Sequence, residues 1–510
     1  MPSTPPADAL RDLRAHLATI VDLRSARDVL RWDQETYMPS GGAGGRADVI
    51  ATLSRLAHEQ FVSSTARDLL DAAEPLLGRL PADSDDAALI RVTRRDVERA
   101  RKLPAEFVAE RARTASQSTQ VWREARPRND FATFRPYLER MVEFARRTAD
   151  YLGYTEHPYD ALLDEYEPEM TSREVAALFA QLREGTVPLL RTIVSRANAV
   201  DGGVLRQEYA EDPVRRFALA TVRAFGYDLD RGRLDTSAHP FSTGFNRNDV
   251  RITTRYGRHS LGALFGAFHE AGHAMYSQGS APSLERTPLA RGASNGIHES
   301  QSRLWENLVG RSRAFWQHAF PALRQQFPTQ LGASDAEAFY RAVNRVERSL
   351  IRVEADEVTY NLHIILRFEL EQGLVAGEIA PRSLPEIWNA KMTQDLGVTP
   401  PADTDGVMQD IHWSGGLIGY FPSYTIGNVA SVQFFEAARR AHPDLVDRIR
   451  RGEFATLLGW LREHVHTHGR KFFPHELLVR ATGHPLTPAP YLDYLRAKYS
   501  EIYGIEGRPG

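Results

Sequence analysis

The reading of this chain turns on Leu264-Phe265-Gly266-Ala267-Phe268-His269-Glu270-Ala271-Gly272-His273. Small and apolar residues surround two histidines four positions apart. On a helix that spacing places both rings on one face, about one turn apart. Both imidazoles can then reach one tetrahedral cation. Glu270 follows the first His and points near the open side of that cation, where it can take a proton from a water on the metal. Zinc suits such a site, with cobalt as a substitute, because it polarises water and a peptide carbonyl without redox chemistry. A packed helix of this kind is expected to be buried, and burying two His and a Glu without use would be costly.

A catalytic metal site of this type needs a third protein ligand and an open position. No third His follows at the short fixed distance of the metzincin pattern. The segment Ile297-His298-Glu299-Ser300-Gln301-Ser302-Arg303 offers a carboxylate, Glu299, 26 residues after His273. The intervening loop is long enough to bring a second helix back across the first. Glu306 is the rival ligand. Glu299 could instead simply pair with Arg303 on a solvated helix face.

Composition sets the frame. The 510 residues carry a formal net charge of −3, so no overall charge points to nucleic acid. Arg is nonetheless frequent in short runs such as Arg91–Arg101. The chain has no cysteine, so a metal must rest on His and carboxylate ligands. The start of the chain lacks an apolar signal core, and no run of about 18 apolar residues suggests a membrane span. A soluble, cytoplasmic protein without membrane or nucleic-acid partners is expected.

Working outward, helical periodicity dominates. Residues 1–7 are Pro-rich and expected to fray. Leu10, Leu13, Leu17, Ile20 and Leu23 then recur at three- and four-residue steps. Pro39 to Gly45 breaks the pattern, which resumes at Arg46. Further amphipathic stretches cover 84–101, 104–117, 130–152, 172–197 and 212–225, and later 335–375 and 427–500. Val250, Ile252 and Thr254 alternate with Arg251, Thr253 and Arg255, which predicts a strand. Gly257 and Ser260 mark the passage into the motif helix. No repeat or long linker is visible. We expect an all-α fold over 1–510 as a single catalytic domain, with a small antiparallel sheet beside the motif.

At this point the chain resembles the M32 family of metallocarboxypeptidases, of the thermostable carboxypeptidase type. The two-His motif is joined by His298-Glu299-Ser300-Gln301. His239-Pro240-Phe241, Asp249-x-Arg251-x-Thr253, Ile351-Arg352-x-x-Ala355-Asp356 and Gly406-x-x-Gln409-Asp410-x-His412-Trp413 follow the family's order. Trp32 to Thr36, Met38-Pro39 and Pro158-Tyr159-Asp160 are similar as well, so the resemblance covers essentially the whole chain. It implies a helical zincin shaped around a groove, commonly a homodimer. It implies a zinc carboxypeptidase that removes single C-terminal residues with broad tolerance. Glu299 becomes the third ligand and Glu270 the base. Such folds are related to oligopeptidases of the angiotensin-converting and thimet types.

Peptide hydrolysis also needs donors for the oxyanion. His412, Tyr420 and Tyr424 are the candidates, in a segment where Gly415, Gly416 and Gly419 suggest close approach or unusual turns. By analogy with those oligopeptidases, Tyr424 is slightly favoured. A terminal carboxylate calls for an Arg fork. Arg352 and Arg251 are the candidates, although Arg251 could be a strut to Asp249 and Arg352 could pair with Glu354, Asp356 or Asp410. Asp356 and Asp410 are read as groups that hold the metal His rings or the donors. His239 either lines the groove or sits in the core.

Overall fold

The computed structural model describes residues 5–257 and 261–505; the expectations for residues 1–4 and for Ser260 fall outside them. Helices make up most of the chain, as expected. The first runs from Pro6 to Thr36, so fraying does not extend to residue 7. Proline is tolerated in a first helical turn because the N–H it lacks would have no partner there. Helix resumes at Ala43, earlier than the four glycines of 41–45 suggested.

The chain divides into two compact units, each assembled from three segments. One comprises Met1–Arg101, Gly202–Val343 and Gln433–Pro485; the other comprises Lys102–Asp201, Asn344–Val432 and Leu486–Gly510.

The first unit holds the motif helix, Gly262–Gly279. Its apolar back face builds the core: Phe268 lies 5.2 Å from Phe225 and 5.7 Å from Phe315, ring centre to ring centre. Trp305 and Phe454 close the cluster around Phe225, each at 4.9 Å. A second core joins Leu13, Leu17 and Ile20 of the first helix to Leu70, Leu89 and Val97, and to Leu284 and Leu289 of the segment after the motif helix. The three- and four-residue spacing read from the sequence is thus a buried stripe.

The sheet has three strands, β1 (Leu234–Thr236), β2 (Ser242–Asn246) and β3 (Asp249–Thr254). β3 is central. It pairs antiparallel with β2 but parallel with β1, where Leu234 faces Ile252. The expected antiparallel sheet is therefore mixed. β1 reaches its place by a return of the chain rather than a tight hairpin, and alternation within β3 carries no information about a partner's direction. The Thr254 hydroxyl at the end of β3 donates to Ala263 O at 3.0 Å, tying the sheet to the start of the motif helix.

The second unit centres on the helix Tyr360–Ala376, buried on nearly every face. Such a helix is apolar all round or satisfies its polar groups internally. It does the latter in part: Arg367 and Glu371 are fully buried and bonded, whereas both ring nitrogens of the buried His363 lack a hydrogen-bond partner among the described residues. The stretch expected to be helical over 335–375 is interrupted. The α-helix ends at Val343, a short 3-10 turn covers Arg352–Glu354, and α-helix returns at Tyr360. Asp356 explains the restart: its carboxylate accepts from the backbone N–H of Val358 and Thr359, at 2.9 and 3.1 Å. It braces the turn that leads into the next helix and does not hold a metal His ring or a donor side chain, contrary to the expectation.

Candidate metal centre

His269 and His273 lie on the motif helix with ring centres 4.9 Å apart. Glu299 lies on the helix Asn295–Arg303, started by the Ser294 hydroxyl, which accepts from Ile297 N. The two helices meet closely because position 272 is glycine. A Cβ there would lie 2.5 Å from Gln301 O and 2.6 Å from the Ser302 Cα. At that approach Glu299 Oε2 stands 3.8 Å from His269 Nε2 and 3.5 Å from His273 Nε2. Ligand atoms of the three residues all lie within 4.8 Å of one another, and among the described residues no other His/Cys/Asp/Glu group has such a geometry.

The surrounding groups orient these ligands. His269 Nδ1 bonds Glu306 Oε2 at 2.9 Å, which directs the proton to Nδ1 and leaves the Nε2 lone pair facing the centre. Glu306 is thus the support of a ligand, not part of the clustered set. It sits on a π-helical turn, Leu304–Val309, continuous with the preceding helix. Arg303 Nε donates to Glu299 Oε1 at 2.7 Å, occupying one oxygen and leaving the other for the His pair. Arg303 Nη1 also reaches Glu306 Oε2 at 3.2 Å. Against the cost of burial, Arg303 and the two imidazoles hold the Glu299 carboxyl well below the usual carboxylate range. His273 stacks on His298, centres 4.4 Å apart. Burial and the neighbouring His273 hold His298 well below the ordinary imidazole range, so it stays neutral. Two imidazole nitrogens and one ionised carboxylate oxygen fit a zinc-like cation with an open position.

Glu270 is 6 % exposed. Burial raises its carboxyl, opposed by the two imidazoles and reinforced by Glu299 and Glu306. A carboxyl raised in this way is suited to accept a proton.

The other expected residues distribute as follows. His239 is exposed, which removes the core alternative. Its backbone O accepts from the Ser237 hydroxyl at 2.6 Å. Pro240 beside it packs toward Gly266, one turn before His269. Arg251 spends its fork on Asp249, Nε to Oδ1 and Nη2 to Oδ2 at 2.8 Å each. Its guanidinium also lies 4.2 Å from the centre of the Trp32 ring. Neutralised and stacked in this way, it fits the strut alternative better than substrate contact.

In the second unit, His412 Nε2 and the Tyr424 hydroxyl are 3.1 Å apart, and the Tyr420 and Tyr424 rings lie 5.3 Å apart. Burial, with Arg352 and Arg367 nearby, pushes His412 down to about 3, so it is a neutral imidazole. Arg352 sends Nε and Nη2 to Asp410 Oδ1 at 3.0 and 2.7 Å, and Nη1 to the Tyr360 hydroxyl at 3.0 Å. Asp410 Oδ2 accepts from Arg367 Nε at 2.7 Å. One carboxylate therefore opposes two guanidiniums. Of Arg352's five N–H groups, two remain uncommitted in these bonds.

Two residues that the sequence did not point out organise this neighbourhood. Arg367 is one. Glu371, a turn further along the same helix, is the other. It accepts from Trp413 Nε1 at 2.7 Å, Gly419 N at 3.0 Å and the Tyr159 hydroxyl at 2.7 Å. It therefore grips both ends of the 413–419 loop. Trp413 and Tyr159 lie in motifs that the sequence displayed, but nothing in the sequence tied them to Glu371. Gly416 and Gly419 take φ of +75° and +98°, which an L side chain rarely adopts, whereas Gly415 needs neither that freedom nor close approach.

The helix-borne His pair with Glu270 between them, a candidate third ligand on a following helix and a mainly helical scaffold form a candidate metal centre of the metallopeptidase class. Comparison with known proteins gives the family. The match to the family described as "Carboxypeptidase Taq (M32) metallopeptidase" spans residues 12–499. The chain is 45% identical over 495 residues to thermostable carboxypeptidase 1 of Thermus thermophilus, covering 94% of this chain and 96% of that one. It is 38% identical over 476 residues to carboxypeptidase 1 of Bacillus subtilis, covering 93% and 95%. The crystal structure of the M32 carboxypeptidase from Deinococcus radiodurans R1 superposes with a TM-score of 0.95 at 45% identity, covering 98% of this chain and all of that one. This chain belongs to the M32 family of metallocarboxypeptidases.

Proposed function

We propose that the protein is a zinc-dependent carboxypeptidase that releases single residues from peptide C-termini with broad side-chain tolerance. The observation that carries the reading is the convergence of His269 Nε2, His273 Nε2 and Glu299 Oε2 beside a buried Glu270. Zinc, when held by these three residues, acts as a Lewis acid toward the attacking water and the scissile carbonyl. Glu270 takes a proton from that water and later passes it to the leaving amine. Neutral His412 and the phenols of Tyr420 and Tyr424 serve as donors to the developing oxyanion. The His412–Tyr424 bond favours Tyr424 as the direct donor, because it orients that hydroxyl. Arg352 holds the terminal carboxylate, since Asp410 leaves the Arg352–Arg367 pair with an excess positive charge. His239 lines the approach to the motif helix.

The whole chain works as one catalytic domain: the family match runs through every segment of both units. It acts in the cytoplasm as a homodimer. Among the described residues no helix is long and apolar enough to cross a membrane.

The reading is tested by Glu270→Gln. That variant should keep stoichiometric zinc and lose roughly 10²–10⁴-fold in turnover of a free peptide. Turnover within about tenfold of the parent would show that another group activates the water.

A further inference from the structure

Between the first helix and the segment that leads to Glu299, the first unit gathers positive charge with few partners. Arg24, Arg27 and Arg31 share one face of the helix Pro6–Thr36, at positions i, i+3 and i+7. Arg27 pairs with Asp28 at 2.8 Å, and Arg31 reaches the same carboxylate only at 4.0 Å. Arg24 meets the Phe61 ring, 4.9 Å from its centre, and Arg291 projects from the neighbouring segment with an exposed side chain. Neither Arg24 nor Arg291 has a carboxylate within 4.0 Å among the described residues. The nearby Asp96 is held by Arg470, at 2.7 and 3.1 Å.

The segment bearing Arg291 is fixed in place. Arg286 pairs with Asp22 of the first helix, and Arg470 N donates to Leu289 O at 2.9 Å. The residue after Arg291 packs beside a candidate metal ligand's neighbour. A Cβ on Gly292 would lie 3.0 Å from the His298 ring, and His298 stacks on the ligand His273. Burial, with Arg291 and Arg27 beside it, depresses Arg24 to about 10. Asp28 and Asp96 offset this only in part; guanidiniums that outnumber the carboxylates around them are destabilising, and an incoming anion relieves them.

We propose that Arg24 and Arg291, with Arg27 beside them, form a subsite for the carboxylate side chain of an acidic residue in the peptide substrate. The spread of guanidiniums over two elements suits side chains along a peptide better than a single terminal carboxylate. The subsite adds a preference for Asp or Glu at one position to an otherwise tolerant enzyme. It rests on the peptidase reading above.

The test uses the zinc-loaded full chain and short free-acid peptides with Glu or Gln placed singly at each position from the C-terminus. At one position kcat/KM should favour Glu by about tenfold or more, the size of one charged contact. In Arg24→Gln and in Arg291→Gln that ratio should fall to near one, while an all-neutral peptide is cleaved within about twofold of the parent rate. No position with a Glu preference, or a preference that survives both changes, overturns the proposal. So does an equal loss on the neutral peptide, which would make the residues structural. A changed ratio of free-acid to amidated peptide, with Glu and Gln still distinguished, would assign Arg291 to the terminus and also overturn it. If no peptide is cleaved, the peptidase reading fails separately. Anisotropy of labelled Glu and Gln peptides on Glu270→Gln protein then decides the subsite, with equal affinities counting against it.

Discussion

His269 can offer Nε2 because Glu306 takes Nδ1, and Glu299 can offer Oε2 because Arg303 takes Oε1. At this scale a ligand is distinguished from its support by which atom faces the centre. Glu299→Ala should therefore lose zinc on dialysis. Glu306→Ala should retain it with affinity weakened about 10–100-fold, the usual effect of freeing a ligating His from its partner. Metal analysis after dialysis against graded chelator separates the two, and the reverse order would exchange the roles of Glu299 and Glu306. Both glutamates were visible in the sequence as candidates. Their roles were not, because Glu306 sits within a π turn that no residue pattern announces, and the turn sets which way its carboxylate points. Arg251 and Arg352 show the same limit. The sequence displayed both inside motifs, but only the fold shows that Arg251 is matched by Asp249 while Arg352 shares Asp410 with Arg367.

Elements set those atoms at their distances. The motif helix and the Glu299 helix approach through Gly272, where an added methyl group meets backbone rather than a movable side chain. Gly272→Ala should push the helices apart, cost about 1–3 kcal/mol of stability as overpacking does, and weaken zinc binding. Urea melts with and without zinc measure both, and a variant as stable and as zinc-avid as the parent would show that the contact yields. In the second unit, Glu371 accepts three donors at once. Glu371→Gln turns one acceptor into a donor that must face an N–H or O–H, a loss of about 1–3 kcal/mol. We expect kcat to fall while zinc content stays whole. Unchanged kcat would mean that the 413–419 loop keeps its place without this grip. Helix existence was legible at this scale, since periodicity reports burial. The mixed sheet was not, since strand direction depends on partners distant in sequence, and neither was the break at 344–359, since an Asp that accepts from N–H groups two and three residues on leaves no mark in a hydrophobic pattern.

For the whole molecule, the sequence motifs of the second unit lie far along the chain from those of the first, yet the family match joins them. Homodimerisation is expected at this scale, and light scattering that returns the mass of one chain across micromolar concentrations would refute it. The central claim is that the protein removes residues from a free C-terminus. If Arg352 holds the terminal carboxylate, amidation leaves a buried cation facing a neutral group, which typically costs about 2–5 kcal/mol, or some 30- to several-thousand-fold in rate. Timed digests of one peptide as free acid, as C-terminal amide and as N-acetyl acid, read by mass spectrometry, test this directly. The account predicts stepwise loss of C-terminal residues from both free acids and near silence on the amide. Internal fragments released equally fast from the amide would contradict it.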